Sequence, residues 1–264
     1  MLPRLEPQFS VSPLYQEFAN KLQATSFTGD INFQYSARLA VATDNSVYQQ
    51  LPQMVVHPKS IEDVQAISQL ASQAEFNEIK FSARGGGTGT NGQSLTPGIV
   101  VDLSKHMNNI LEINVEEKWV RVQAGVIKDQ LNDFLRPYGF FFSPDCSTSN
   151  RATLGGMINT DASGQGSLVY GKTSDHVLGL ESVLANGDLL STAPLSLSQA
   201  QALSKEASST GRIMAAVLTS CTDNRDKILA KFPRLNRFLT GYDLENVFIK
   251  DMFAFDLFRV ITGY

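Results

Sequence analysis

The chain has 264 residues, of which 42% are hydrophobic and 18% are charged, and its formal net charge is −4. These values are ordinary for a globular protein, and the acidic balance argues against a nucleic-acid partner, which would require a basic surface. No apolar run is long enough to span a bilayer, and residues 1–9 lack the apolar core of a signal peptide. We therefore expect a soluble cytoplasmic protein, and a peripheral position on the inner membrane is compatible with the same features.

The first half of the chain alternates between helical and strand patterns. Leu14, Phe18 and Leu22 lie at helical spacing, and Ser60 with Asp63 predicts a capping box at the start of a second helix. The predicted elements are, in chain order, a helix over 13–25, a loop over 27–50, a strand over 53–58, a helix over 60–73, a strand over 79–83, a buried strand over 98–103, an antiparallel strand pair over 110–115 and 119–124, a helix over 126–136 and a strand over 140–142.

The second half is rich in glycine at first and helical later. Residues 144–171 combine glycines with small polar residues, and residues 176–192 predict a hairpin that turns at Asn186 and Gly187. From 194 to about 231 the composition shifts to Ser, Ala and Gln with helical spacing. Because strands and helices mix without regular β-α-β alternation, the predicted fold class is α+β rather than doubly wound.

The stretch "ARGGGTGTNG" at 83–92 contains five glycines, and three of them, Gly87, Gly89 and Gly92, spell G-x-G-x-x-G. A Rossmann dinucleotide loop needs a helix to begin at its third glycine and an acidic residue about twenty positions later. Here Pro97 and Gly98 interrupt any helix, and the next predicted element is a strand. The Rossmann interpretation therefore fails on its context.

Two other interpretations of this loop are a solvated turn and an anion-binding nest. Each ordered glycine costs about 0.5–1 kcal/mol relative to alanine, so five of them are costly for a simple turn. Consecutive backbone N–H groups that converge on an anion would offset that cost. A second glycine-rich stretch, "TLGGMINTDASG" at 153–164, would let backbone approach a flat ligand closely. The two stretches together suggest two walls of one extended site.

Several motifs occur in a fixed order: "RGGGTGTNGQ", "GIVVDLSKHMNNILEI", "TLGGMI" and "YGKTSDHVLGLESVLANGDLL". This order resembles the FAD-binding domain of the vanillyl-alcohol oxidase and p-cresol methylhydroxylase superfamily, and most of all its D-2-hydroxy-acid dehydrogenase branch. The resemblance covers about residues 43–190. It resumes at "FPRLNRFLTGYDL", 232–244, which is similar to the large bacterial flavin and iron–sulfur dehydrogenases of D-lactate and D-2-hydroxyglutarate.

The resemblance implies a set of cofactor-binding residues and no catalytic residue or metal ligand within this chain. The loop 84–89 would hold the FAD pyrophosphate through backbone N–H groups, 144–147 would lie near the flavin ring, and 153–156 would line the other side of the diphosphate and ribityl chain. The implied residues are Arg84, Gly85, Gly86, Gly87, Thr88, Gly89, Pro144, Asp145, Ser147, Thr153, Leu154, Gly155, Gly156, Ala162, Ser163, Gly164, Tyr170, Gly171 and Val177.

Three positions depart from the family pattern. Relatives that bond FAD covalently through the glycine loop carry histidine where Thr88 stands, so we expect noncovalent FAD. Asp161 replaces a common asparagine, and a carboxylate there would be unfavourable unless it were hydrogen-bonded. Cys146 replaces a common proline, and it is either a small buried filler or a redox group.

The resemblance also implies an architecture. It predicts a two-subdomain FAD-binding fold of the p-cresol methylhydroxylase type, with mixed sheets flanked by helices. We expect an N-terminal extension with one helix over 1–50, the core of the FAD domain over 51–193, and a helical insert followed by the start of the remainder over 194–264. Tyr264 stands where the family has serine, so we expect this residue to be non-native and the chain to be the N-terminal part of a longer enzyme.

The expected function is oxidation of a D-2-hydroxy acid by hydride transfer to FAD, by a full-length enzyme whose N-terminal part would be inactive alone. Electrons would pass to a downstream acceptor, either a 4Fe–4S cluster in the missing C-terminal part or a quinone-linked partner. An enolpyruvyl-sugar reductase is an alternative from the same superfamily, and the tail motif at 232–244 argues against it. A nonenzymatic flavin- or nucleotide-binding module is an alternative from another class.

Some polar residues have structural as well as functional interpretations. Arg84 could cap the loop through carbonyl groups or contact phosphate, and the sequence favours neither. His176 could be a general base, but its place at the entry to an apolar strand favours packing. His57 and His106 have no paired ligand spacing.

Overall fold

The computed structural model describes residues 10–233, 241–249 and 252–263. The chain divides into two compact units. The first unit comprises Met1–Phe140, Thr148–Gly156 and Ala185–Gly187, and the second comprises Phe141–Ser147, Met157–Leu184 and Asp188–Tyr264. Most of the tail motif at 232–244 lies outside the described residues, as does Tyr264.

The first unit contains a mixed sheet with the strand order β1-β2-β4-β3. Strands β2, β4 and β3 run parallel, and β1 joins the edge antiparallel to β2. A hairpin of β5 and β6 forms a separate antiparallel pair. The elements of this unit are α1 (Pro13–Gln23), β1 (Asp30–Asn32), α2 (Tyr35–Ala40), β2 (Met54–His57), α3 (Ile61–Ala71), β3 (Phe81–Arg84), β4 (Ile99–Asp102), β5 (Ile110–Asn114), β6 (Trp119–Val122), α4 (Lys128–Leu135) and the start of α5 (Leu154–Asn159).

Helices α1 and α3 bury their apolar stripes against this sheet. Phe18 and Leu22 of α1 are fully buried, and they join Ile67 of α3 and Met54 and Ile99 of the central strands in one cluster. Burial of each such side chain contributes roughly 1.5–3 kcal/mol. The central strands β2 and β4 therefore lie at the core of the unit, and the burial predicted for the strand over 98–103 is confirmed.

The start of α3 shows half of the predicted capping box. Ser60 Oγ accepts a hydrogen bond from the backbone N–H of Asp63 at 3.3 Å, as predicted. The Asp63 carboxylate accepts instead from the N–H groups of Lys59 at 2.8 Å and Thr28 at 2.7 Å. The carboxylate therefore links the helix to the segment before β1, because the fold places Thr28 beside it.

Two predictions of local structure are wrong. Residues 27–50, predicted as a loop, contain the short β1 and α2. Both elements depend on distant partners, since β1 pairs with β2 and Arg38 of α2 donates to the carbonyl of Pro52 at 2.6 Å. Residues 140–142 form no strand among the described residues, and Phe141 is 58% exposed. An aromatic run without a pairing strand does not form a ladder.

The second unit combines small antiparallel sheets with a group of helices. The hairpin of β7 and β8 has its turn at Asn186–Gly187, as predicted, with Gly187 at φ +85. A three-stranded sheet has the order β10-β11-β9. The elements are the end of α5, α6 (Ser167–Tyr170), β7 (Leu180–Val183), β8 (Leu189–Thr192), β9 (Leu195–Ser196), α7 (Leu197–Leu203), α8 (Ser209–Asp223), α9 (Arg225–Lys231), β10 (Phe248–Ile249), β11 (Ala254–Phe255) and α10 (Phe258–Ile261).

The core of the second unit forms where α7, α8 and α9 pack with these strands. Met214 and Cys221 of α8 are buried with Leu190, Phe248 and Phe255. Burial raises the pKa of the Cys221 thiol, so this cysteine acts as a small apolar residue. The helical region predicted from about 194 to 231 is confirmed, because its apolar positions face this core.

These units together confirm an α+β fold in which mixed and antiparallel sheets lie beside helices. Among the residues that the structure describes, no helix has both the length and the hydrophobicity needed to cross a membrane.

Candidate functional site

The glycine loop begins where β3 ends. Arg84 is the last residue of β3 and pairs with Asp102, the last residue of the parallel strand β4. Ligands in open sheets with parallel strands commonly bind beyond the carboxyl ends of those strands. The loop 85–89 therefore lies at the edge of the sheet where a ligand is expected.

The backbone donors of this loop have no acceptor among the residues that the structure describes. The N–H groups of Gly85, Gly86, Gly87, Thr88 and Gly89 make no hydrogen bond within the described parts of the chain, although all five residues are half-buried. Half-buried N–H groups are normally paired. Five adjacent unpaired donors are the property expected of an anion-binding nest.

The first two glycines are also needed for packing. A Cβ atom on Gly85 would overlap Thr153 Oγ1, and a Cβ atom on Gly86 would overlap the carbonyl oxygen of Arg151. The glycine loop therefore contacts the start of the second glycine-rich stretch within the first unit. The sequence suggested that the two stretches form two sides of one site. In the structure they are in contact where Gly85 meets Thr153 and Gly86 meets Arg151.

The side chain of Arg84 is directed into the protein. Its guanidinium donates to the carbonyls of Val41 at 3.3 Å and Thr43 at 2.8 Å, and to Ser94 Oγ at 3.3 Å. Burial lowers the pKa of this guanidinium, and the charges of Asp102 and Asp44 oppose that shift. Of the two interpretations that the sequence left open, the geometry matches the bonding to carbonyls.

Residues 153–156 are held against the segment that precedes α4. Thr153 pairs with Ile127, Leu154 N–H donates to the carbonyl of Val126 at 2.8 Å, and Gly155 N–H donates to that of Ala124 at 2.9 Å. The backbone donors of Leu154 and Gly155 are thus already used by the protein. Gly156 is the exposed member of this group.

The second unit contains the remaining implied residues. Gly164 lies so close to the carbonyl oxygen of Asp145 that a Cβ atom would overlap it. The carbonyl of Ala162 accepts from Thr173 Oγ1 at 2.7 Å. Ser163 Oγ is buried and has no hydrogen-bond partner among the described residues. An unpaired buried hydroxyl fits a position that contacts a polar group of a ligand.

The other implied residues of this unit differ in their exposure to solvent. Pro144 is buried, Ser147 is exposed and Val177 is half-buried. Tyr170 is half-exposed, with its ring edge-on to Phe141 at 5.5 Å, and the following Gly171 has φ +80.

The Asp161 carboxylate is hydrogen-bonded, which the sequence analysis required of a carboxylate at this position. It is 3% exposed, and it accepts hydrogen bonds from Ser174 N–H at 2.7 Å and Ser174 Oγ at 3.1 Å. Lys172 Nζ forms an ion pair with it at 2.5 Å. The buried charge is therefore compensated within the unit.

His176 makes structural contacts. Its Nε2 lies 2.6 Å from the carbonyl oxygen of Tyr170 and 3.1 Å from Ser143 Oγ, and its ring contacts that of Phe142. These contacts agree with the packing role that the sequence favoured.

The structure also brings together a cluster that the sequence did not reveal. His57 at the end of β2 lies 3.7 Å from Asp102, and its ring centroid is 6.5 Å from that of His106. His106 and Lys105 both contact the Asp30 carboxylate at 2.7 Å. Asp30, His57 and the group at 102–106 are far apart in sequence, and the pairing of β1, β2 and β4 brings them together.

Known proteins resemble this chain in sequence and in fold. D-2-hydroxyglutarate dehydrogenase from Pantoea ananatis is 60% identical over 261 residues, which are 97% of this chain and 26% of that protein. The chain thus spans about a quarter of the length of this relative.

Two solved structures share the fold at low identity. Alkyldihydroxyacetonephosphate synthase has a TM-score of 0.59 at 23% identity, over 72% of this chain and 39% of its own. Substrate-bound p-cresol methylhydroxylase has a TM-score of 0.55 at 19% identity, over 72% of this chain and 37% of its own.

The p-cresol methylhydroxylase type of fold expected from the motifs is therefore confirmed. The family described as FAD binding domain matches residues 52–193, which are more than half of the chain and include every implied cofactor-binding residue. With the unpaired loop donors and the shared fold, this match shows that the chain belongs to the FAD binding domain family.

Proposed function

We propose that this chain provides the FAD-binding part of a flavin-dependent dehydrogenase that oxidises a D-2-hydroxy acid. The observation that carries the proposal is the row of five N–H groups over 85–89 that have no acceptor in the described parts of the chain, an arrangement that suits the FAD pyrophosphate. The unpaired hydroxyl of Ser163 supports cofactor binding in the second unit. When bound, FAD supplies the acceptor for the hydride that a 2-hydroxy acid loses from its Cα.

The substrate class rests on the relatives. The relative that is 60% identical is named for D-2-hydroxyglutarate, and the match extends over nearly the whole chain. Because the chain spans only 26% of that protein, the groups that bind substrate and accept electrons belong to our proposal for the full-length enzyme. In this proposal a 4Fe–4S cluster or a quinone-linked partner receives the electrons outside residues 1–264, at a cytoplasmic or peripheral membrane location.

We further propose that FAD binds without a covalent bond. Thr88 occupies the position at which covalently linked relatives carry histidine, and a threonine hydroxyl is a poor nucleophile without an adjacent base. Acid precipitation of the flavin-loaded protein should release all of the FAD into the supernatant. Flavin that stays with the denatured polypeptide would contradict this proposal.

The loop can be tested in the full-length protein with two matched glycine variants. Gly87 and Gly139 both have positive φ, +61 and +76, so alanine adds similar backbone strain at both positions, and at Gly87 the added methyl group also displaces the Arg84 guanidinium. Gly87→Ala should weaken FAD binding at least tenfold in a fluorescence titration, whereas Gly139→Ala, which is outside the loop, should leave it within about twofold. Equal effects of the two variants would refute the loop as the phosphate site.

Substrate class has its own experiment. The full-length protein should reduce an artificial electron acceptor with D-2-hydroxyglutarate or D-lactate and not with their L-enantiomers. Oxidation of NADPH in the presence of an enolpyruvyl sugar would instead support the reductase alternative, and FAD binding without any turnover would support a binding module.

A further inference from the structure

The two ends of the glycine loop are tied to the same short segment. We define residues 41–45 as the bracket segment. At the start of the loop, the Arg84 guanidinium donates to the carbonyls of Val41 and Thr43 at 3.3 and 2.8 Å. At the end of the loop, the carbonyl of Gly89 accepts from the N–H of Asn45 at 3.1 Å. The span 84–89 is therefore fixed at both ends by one piece of backbone.

The bracket segment is itself anchored in the sheet. Val41 is buried in a cluster with Val55 of β2 and Val100 of β4. The carbonyl of Ala42 accepts from Gln50 N–H at 2.8 Å, so the backbone after the segment closes back onto it. The glycine loop is thus connected through Arg84 to the most buried strands of the first unit.

A short polar chain completes this connection. Arg84 donates to Ser94 Oγ, and Ser94 Oγ donates to Asp44 Oδ2, each at 3.3 Å. Burial acts to raise the pKa of the Asp44 carboxyl, but hydrogen bonds from Ser46 and Ser94 and the Arg84 charge hold it below its ordinary value. Asp44 is therefore ionised at neutral pH and compensates the positive charge of Arg84.

The guanidinium also supports the middle of the loop. A Cβ atom on Gly87 would overlap the Arg84 guanidinium, and Gly87 has φ +61. Within the described residues, the hydrogen bonds of this guanidinium go to oxygens of the protein, whereas the N–H groups of 85–89 have no acceptor there. The guanidinium thus lies against Gly87 with its donors used by the protein, and the backbone donors of the loop are left for a ligand.

We propose that Arg84 is a positioning residue, which fixes the curvature of the glycine loop through the bracket segment and does not bind the cofactor phosphate with its side chain. This inference rests on the proposed function for its effect on FAD. A positioning role and direct phosphate binding by Arg84 can be distinguished experimentally. Positioning requires the forked geometry of the arginine side chain, whereas a phosphate contact requires mainly its charge.

The test compares Arg84→Lys and Arg84→Met in the full-length protein. Lysine keeps the charge but cannot reach three separated acceptors, so both variants should weaken FAD binding at least tenfold. In the flavin-free protein, amide hydrogen exchange at Asn45, whose N–H donates to the Gly89 carbonyl, should become at least tenfold faster in both variants. Arg121→Lys, on β6 and outside the loop, should change neither measurement.

A milder variant covers the case in which Arg84 variants do not fold. Ser94→Ala removes one of the three acceptors and retains Arg84, so exchange at Asn45 should increase by roughly two- to fivefold. Unchanged exchange in Ser94→Ala and in any folded Arg84 variant would overturn the proposal. The proposal would also be overturned if Arg84→Lys kept the wild-type FAD affinity and Arg84→Met lost it, which is the result expected of a phosphate contact.

If the wild-type protein bound no FAD, the proposed function would fail. The exchange rates of the flavin-free variants would still decide this inference.

Discussion

At the scale of single residues, the glycines of the loop have two separate roles. The sequence attributed them to close approach of backbone to an anion, and the unpaired N–H groups agree with that role. Gly85 and Gly86 are needed for a second reason, since any side chain on them would overlap Thr153 or Arg151. The exclusion of side chains from these positions is therefore a requirement of packing as well as of binding.

Gly86 and Gly156 provide a test of this packing role. A methyl group on Gly86 would overlap the Arg151 carbonyl, so Gly86→Ala should lower the free energy of unfolding by about 1–3 kcal/mol. Gly156 lies within α5, and an added methyl would meet only Thr153 Oγ1 at 3.3 Å. Gly156→Ala should therefore be neutral or stabilising by up to about 1 kcal/mol. Urea denaturation of the flavin-free variants measures both values, and a larger loss in Gly156→Ala would contradict the packing argument.

Asp256 should make the stability of the protein depend on pH. It is 2% exposed, and burial raises the pKa of its carboxyl to about 6, although the N–H of Phe258 and the charge of Arg259 act in the opposite direction. Because the folded-state pKa lies above the unfolded value near 3.8, this group stabilises the fold below pH 4. That stabilisation decreases as the pH rises from about 4 through about 6.

Asp256→Asn should remove this dependence. The variant should match the wild-type protein near pH 4 and exceed its free energy of unfolding by roughly 2–3 kcal/mol at pH 8, since each pKa unit corresponds to about 1.4 kcal/mol. The asparagine oxygen can still accept the hydrogen bond that Phe258 N–H donates to Asp256 Oδ1. Denaturation curves at pH 4 and pH 8 measure the two free energies of unfolding. A variant less stable than the wild-type protein at pH 8 would show that the ionised carboxylate stabilises the fold.

At the scale of elements, α3 shows how a local signal is combined with a distant contact. Ser60 caps the helix, which the sequence predicted from local spacing. Asp63 was expected to complete the capping box, but its carboxylate binds Thr28, which is 35 residues away in sequence. The start of α3 is thus fixed to the segment before β1.

The two residues at the start of α3 should differ in their effect on stability. Ser60→Ala removes one cap and should cost about 1 kcal/mol. Asp63→Ala removes a carboxylate that is 1% exposed and accepts from the N–H groups of Thr28 and Lys59, so it should cost about 2–3 kcal/mol. Thermal or urea unfolding compares them, and a smaller effect for Asp63→Ala would show that solvent replaces its contacts.

The elements predicted from periodicity are largely present in the structure. The structure confirms the helices near 13–25, 60–73 and 126–136 and the two hairpins at 110–124 and 180–192. Each of these segments has a local hydrophobic pattern or turn residues that are sufficient to predict it. Among the elements that were missed, β1 and α2 are short and depend on β2 and on Pro52. Short elements of this kind have no periodic signal of their own.

At the scale of the whole molecule, the chain forms two units, and each contains part of the implied cofactor-binding set. The first unit has the glycine loop and residues 153–156, and the second has the groups at 144–147, 162–164 and 170–177. The domain boundaries expected from the sequence, 1–50, 51–193 and 194–264, stay a prediction, and the FAD binding domain family matches 52–193. This chain spans 26% of the relative's length. Experiments on catalysis should therefore use the full-length protein.

The sequence by itself determined the fold class, the family and the cofactor, because ordered glycine motifs and amphipathic patterns are properties of neighbouring residues. Only the tertiary structure decided where the polar side chains are bonded. Arg84 binds carbonyls more than 40 residues away, Asp161 is neutralised by Lys172, and His57 lies beside His106. Hydrogen bonds and ion pairs of this kind depend on which strands pair and which loops meet, and the pattern of a single segment contains no information about either.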